Sequence, residues 1–236
     1  MNPPVVRFLE ALEAMHGNER WHWDPETHPF EVCAGAILVQ NTTWTNAERA
    51  VERLRAAGAL DPVVIATTDL NRLEDLVRPS GQFRQKARKL LAFAATCLAA
   101  GGLECLLALP TPELRRRLLA TWGIGPETAD CICCYAAGRD VFVVDAYTMR
   151  TFRRLGVGPS SDTYEQWQAW LAAAVAPHPR WSGAAGAARA HALIVLHAKR
   201  LCRKRQPRCG DCLVRPNCRY ANEETGPPCS QGRFRY

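Results

Sequence analysis

Cys202, Cys209, Cys212 and Cys218 follow one another in the spacing C-x6-C-x2-C-x5-C, four thiols within 17 residues. Thiolates this close in sequence suit a metal centre, either zinc or an iron–sulfur cluster. A zinc ribbon usually shows two close pairs, and here only Cys209 and Cys212 form one. A second chemistry-bearing group is Asp145, in Val143-Val144-Asp145-Ala146-Tyr147-Thr148 ahead of a helical stretch. Aspartate is a favoured helix N-cap, and amide hydrogen bonds together with the helix dipole keep such a carboxylate ionised. A fixed anion can serve simply as a cap, or it can stabilise positive charge developing on a substrate. The third feature is a turn, Trp122-Gly123-Ile124-Gly125-Pro126-Glu127-Thr128, which joins two helical stretches. Glycine permits positive φ and close approach of a ligand, and Pro126 suits a first helical position. The free N–H groups at the start of the second helix then offer a place for a phosphate.

The charge distribution fits an anionic partner. Residues 199–219 hold Lys199, Arg200, Arg203, Lys204, Arg205, Arg208, Arg215 and Arg219 against one acid, Asp211, a local balance of +7 that equals the formal charge of the whole chain. Such a field attracts a polyanion, most simply nucleic acid. Length, 236 residues, and 47% hydrophobic content exclude disorder as the dominant state. Uncharged runs are short, 14 residues over 90–103 and 16 over 32–47, and a membrane span needs about 20. The opening MNPPVVRFLE lacks the basic-then-apolar pattern of a secretory leader, so the expected location is cytoplasmic, nucleoid-associated in a prokaryote. In a reducing compartment Cys33, Cys97, Cys105, Cys131, Cys133 and Cys134 are expected to be small core residues, and Cys229 is left without a role.

The elements that must position these groups read as helices almost throughout, an all-α protein. Apolar residues recur at helical spacing after Pro3 and Pro4, and further helices are expected over 30–39, from Thr43, from Asp61-Pro62, and over 69–77, 82–100, 112–122 and 126–137. The later part reads as helices over 146–155, 163–175 and 187–201. Only residues 141–144 look strand-like, and four residues make no sheet.

Taken together, the hairpin, the Val-Asp motif and the cysteine spacing resemble the endonuclease III superfamily of helix-hairpin-helix DNA glycosylases that carry a [4Fe-4S] cluster. The resemblance covers residues 28–219. It implies a six-helix domain with the hairpin over residues 28–139, a second helical domain with the iron–sulfur loop from residues 1–27 and 140–236, and a cleft between them with Asp145 at its mouth. In this family the hairpin holds a DNA phosphate, which casts Gly123, Ile124, Gly125 and Thr128 as DNA-binding residues. Asp145 becomes the catalytic carboxylate, opposite the positive charge that builds on the sugar as an N-glycosidic bond breaks. Bifunctional members place a Lys where this chain has Glu127. A carboxylate cannot form an imine, so hydrolysis without strand cleavage is expected, with Glu127 a first-turn acid that tunes Asp145 at most.

The resemblance also implies that Gln40, at a helix end, fills the gap left by an extruded nucleotide. Arg84 and Lys86, in Ser80-Gly81-Gln82-Phe83-Arg84-Gln85-Lys86-Ala87, are expected at phosphates. Trp21, Trp23, Pro25, Phe30 and Trp44 are similar to the aromatic wall of the branch that removes 3-methyladenine, where stacking and cation–π attraction favour a cationic alkylated base. The four cysteines would hold the cluster. His191 and His197 are read as core or cluster-adjacent residues, with no catalytic role. The expected partner is double-stranded DNA with a damaged base, met by a monomer. Two other readings stay open: an oxidised-pyrimidine glycosylase with weak lyase activity through another amine, and a non-catalytic iron–sulfur DNA-binding protein.

Overall fold

The computed structural model describes residues 4–24 and 26–223; Pro3, Pro25 and Cys229 lie outside them. Every regular element among the described residues is helical, and the strand-like residues 141–144 take no regular structure there. Phe142, Val143 and Val144 are buried instead, so hydrophobicity and not pairing explains their apolar run. The chain divides into two compact units, a central one of Arg20–Val143 with Ser182–Ala188, and a terminal one of Met1–Glu19, Val144–Trp181 and Arg189–Tyr236.

Thirteen α-helices fall among the described residues: α1 Pro4–His16, α2 Pro29–Leu38, α3 Trp44–Ala56, α4 Pro62–Thr67, α5 Leu70–Val77, α6 Phe83–Ala99, α7 Leu103–Ala108, α8 Thr111–Ala120, α9 Pro126–Cys131, α10 Ala146–Leu155, α11 Tyr164–Val175, α12 Gly183–Arg200 and α13 Arg219–Glu223. The caps expected at Thr43 and Asp61 form, and Asp69, read as part of its helix, is a third. Thr43 accepts from Asn46 N–H, Asp61 from Val63 and Val64, and Asp69 from Arg72, which satisfies amides left over at each helix start.

In the central unit α2 is buried along nearly its whole length and packs against α3, α6 and the turn after α9. The hairpin helices α8 and α9 are tied by Arg115, whose guanidinium donates to both oxygens of buried Asp130 at 2.7 and 3.2 Å. The helix expected over 126–137 is regular only to Cys131 and then widens into a π-turn, Ile132–Ala136. Short α7 has no readable period, and α12 starts four residues before its expected 187 because Gly183–Ala188 is made of small residues that carry no periodic signal.

In the terminal unit α1 buries Val5, Val6, Phe8, Leu9 and Leu12, and it packs against α11. Phe8 meets Phe152 edge-on at 5.2 Å, and Phe152 meets Trp170 at 5.6 Å. Arg189 donates to both Glu13 oxygens at 3.0 Å and to Gly17 O at 2.6 Å, which fixes the end of α1.

Candidate active site and cysteine loop

Asp145 caps α10 from an extended backbone, φ −125° and ψ 178°. Its Oδ1 accepts the Thr148 N–H at 2.7 Å and the Thr148 hydroxyl at 2.8 Å. Its Oδ2 lies 3.7 Å from His191 Nε2, too long for a firm hydrogen bond but close enough for charge to act. The residue is 7% exposed. Burial alone would raise its carboxyl, but the His191 imidazole and the two Thr148 donors outweigh it and hold the group below the ordinary value of 3.8. A buried, ionised carboxylate therefore stands at the start of α10, with one oxygen used by the cap and the other not.

His191 is buried, as expected of a core residue, and its ring also lies beside Asp145. No local pattern could have found it, because the two residues are far apart in sequence and meet only through folding. Lys199, further along α12, sits 5.8 Å from the Tyr147 ring, and Asp145 partly offsets the lowering of its ammonium by burial.

The cysteine loop belongs to the same unit. Cys202, Cys209, Cys212 and Cys218 all line one cavity of about 30 Å³, together with Phe8, Leu155, Leu201 and Tyr220. Among the described residues no group of three or more Cys, His, Asp or Glu side chains is placed to hold a metal ion. Arg154 organises the loop: it donates to Arg203 O at 2.6 Å, Lys204 O at 3.1 Å and Cys202 Sγ at 3.5 Å, while its own carbonyl accepts from Cys218 Sγ at 3.4 Å. Arg150 adds bonds to Cys202 O and Ala198 O at 3.2 Å.

In the central unit Gly123 has φ +83°, which favours glycine, whereas Gly125 at φ −95° and ψ 179° is ordinary extended backbone. Ile124 is buried and Thr128 is 7% exposed; Glu127 is exposed. Gln40, expected at a free helix end, has its amide engaged: Nε2 donates to Gly123 O at 3.2 Å and to Thr128 Oγ1 at 2.9 Å, while Oε1 accepts from Lys89 Nζ.

Lys86 departs from its expected place at a phosphate. It is 2% exposed, and its ammonium donates to Leu38 O at 2.8 Å and Ser80 O at 2.5 Å. It closes the last turn of α2, where carbonyls lack helical partners. Arg84 stays exposed, 3.9 Å from Glu74.

The aromatic residues divide. Phe30 is fully buried against Phe93, ring centroids 5.9 Å apart, and is core rather than a pocket wall. Trp21, Trp23 and Trp44 do cluster, joined by two residues that sequence reading missed: His22 stacks on Trp44 at 3.7 Å, and Tyr135 lies 5.0 Å from Trp23 and 6.1 Å from Trp21. Tyr135 comes from the π-turn and donates to Ala188 O at 2.9 Å. Gly35 makes room for the cluster, since a Cβ there would lie 3.2 Å from Trp23 Nε1 and 3.3 Å from Trp44 Cη2. Trp23 Nε1 is buried without a hydrogen-bond acceptor among the described residues.

Residues 34–177 match the model of the HhH-GPD superfamily of base excision DNA repair proteins, and the chain belongs to that family. A provisionally named DNA repair glycosylase of Methanocaldococcus jannaschii is 35% identical over 221 residues, 91% of this chain and 95% of that one. Endonuclease III of Sulfolobus acidocaldarius is 28% identical over 192 residues, 81% and 82% of the two chains. Among solved structures, the 3-methyladenine DNA glycosylase MagIII of H. pylori, bound to 1,N6-ethenoadenine, superposes with a TM-score of 0.74 at 29% identity over 84% of this chain and 98% of that one. An endonuclease III–DNA complex shares the fold, with a TM-score of 0.78 at 21% identity over 93% and 96%. The protein is thus a DNA glycosylase of base-excision repair. No helix among the described residues is long and apolar enough to cross a membrane.

Proposed function

We infer that the chain is a monofunctional glycosylase that removes an alkylated, cationic purine from duplex DNA. The observation that carries this reading is Asp145, a buried carboxylate held ionised, in a chain whose hairpin has Glu127 where a lyase would need an amine. As the C1′–N bond breaks, its electron pair leaves with the base, and the sugar becomes positive. Asp145 opposes that charge, and a water oxygen then bonds to C1′ while its proton passes to solvent. A cationic base leaves neutral, so the site needs no strong acid. The aromatic cluster of Trp21, Trp23 and Trp44 supports such a base, because ring faces attract cations and stack on flat heterocycles. Gly123, Ile124, Gly125 and Thr128 form the phosphate-holding turn, with Arg84 as a further contact. A borohydride trap on abasic DNA, run beside an excision assay on a lesion panel, tests this. The expected result is release of alkylated purines with no covalent adduct, and an adduct overturns the hydrolytic reading.

The cysteine loop fits a [4Fe-4S] cluster held by Cys202, Cys209, Cys212 and Cys218. Four thiols lining one cavity, with only Cys209 and Cys212 forming a close pair in sequence, favour a polynuclear centre over a zinc ribbon. When bound, the cluster would cross-link a loop too short to build a core of its own. The chain's part is to supply the four sulfurs and, through Arg150 and Arg154, to hold the loop backbone. Iron and acid-labile sulfide in the purified protein, lost in Cys212→Ala, would support this; zinc in their place would refute it.

A further inference from the structure

The hairpin turn, residues 122–128, holds no cation of its own, and the lysine expected nearby, Lys86, is spent on backbone carbonyls. One helical step further along α6 lies Lys89. Its stem crosses the hairpin turn: a Cβ built on Gly123 would fall 2.5–2.8 Å from Lys89 Cγ, Cδ and Cε. Its ammonium donates to Gln40 Oε1, and Gln40 Nε2 in turn grips Gly123 O and Thr128 Oγ1. Among the described residues no carboxylate pairs with Lys89, and burial lowers its ammonium from the ordinary 10.5. A half-buried charge with only a neutral amide for a partner is poorly compensated, and an anion arriving at the turn would relieve it. Gly123 is therefore glycine for two reasons, its positive φ and the lysine stem laid across it.

We propose that Lys89 supplies the positive charge for the DNA phosphate held at the Gly123–Gly125 turn, and that Gln40 is the positioning residue that aims it. The inference rests on the hairpin being a DNA contact, as proposed above, but not on which base is removed. It gives Gln40 a task within its own unit, whatever it does in the duplex.

The test is binding of an undamaged duplex, followed by fluorescence anisotropy over a range of NaCl concentrations. Each phosphate neutralised contributes about −0.9 to the slope of log K against log salt. Lys89→Met keeps the stem over Gly123 and removes the charge; its slope should be shallower than that of the wild type by about 0.9. Lys89→Arg should keep the wild-type slope. A Lys89→Met slope equal to the wild type overturns the proposal even if affinity falls, because a purely structural role weakens binding without changing the ion count. A Lys89→Arg slope as shallow as that of Lys89→Met overturns it as well. Undamaged DNA makes the result independent of excision: a shallower slope with no alkylated purine released would leave Lys89 standing and remove the substrate assignment.

Discussion

Asp145→Asn isolates charge from structure. Asn caps helices about as well as Asp, and its Oδ1 can still accept from Thr148 N–H and Oγ1, the two bonds that Asp145 makes at 2.7 and 2.8 Å. The amide left beside His191 carries no charge. Stability should therefore change by less than about 1 kcal/mol, while the electrostatic partner of the sugar cation is lost. At about 4 Å and an effective dielectric of about 20, one unit charge opposite another is worth about 4 kcal/mol. That is a rate factor of about a thousand. Single-turnover excision from a duplex carrying an alkylated purine, with enzyme in excess, reads the chemical step directly, and urea unfolding reads the fold. The expected result is a rate about three orders of magnitude down with the unfolding midpoint nearly in place. A correctly folded Asn variant that keeps more than about a tenth of the rate, a loss of about 1.4 kcal/mol or less, would show that the carboxylate does not face the reacting sugar.

His191→Ala removes an influence that holds Asp145 down and leaves burial, which raises it; the acid limb of the excision rate should move to higher pH, and an unmoved limb refutes the coupling. The same carboxylate, depressed on folding, adds stability above its ordinary 3.8 and loses that contribution as pH falls through its lowered value. Lys86 gives a slope of the same sign in an alkaline window: burial and Lys89 lower it to about 8 from 10.5, so the unfolded chain binds more protons in that interval and stability should rise from pH 8 to 10.5. Lys86→Met should lose that rise, and it should also cost about 1–3 kcal/mol in urea unfolding for each carbonyl left unpaired, Leu38 O and Ser80 O. Trp44→Ala should lower the preference for lesion over undamaged duplex by a factor of about ten to a hundred, the worth of one stacked base, measured as a ratio of dissociation constants; an unchanged ratio removes Trp44 from the pocket.

What could be read in the sequence is what the chain decides within a few residues. The Thr43, Asp61 and Asp145 caps each bond an amide two or three positions ahead, so type and position suffice. The hairpin and the cysteine spacing are local in the same sense. Phe30 and Lys86 were misplaced because their surroundings come from distant segments: Phe30 meets Phe93, and Lys86 meets Leu38. A lysine near a basic loop reads as a surface charge until a helix end is known to lie over it. Lys89 carried a faint signal, three residues beyond Lys86 and so on a neighbouring face of the same helix, but nothing local tied it to Gly123.

The residues the sequence missed share a property. Asp145 already has its cap, yet a buried capping carboxylate would drift toward protonation without His191. The hairpin already has its turn, yet its backbone donors carry only partial charge without Lys89. The aromatic residues already cluster, yet they close on α2 only because Gly35 yields space and Tyr135 is delivered by a π-turn, a distortion frequent at functional sites. In each case a local motif places the group that does the chemistry, and a residue distant in sequence sets its charge or shape. Substitution of the second kind should therefore shift pH dependence, salt dependence or selectivity while the group itself stays in place. Substitution of the first kind should remove activity outright.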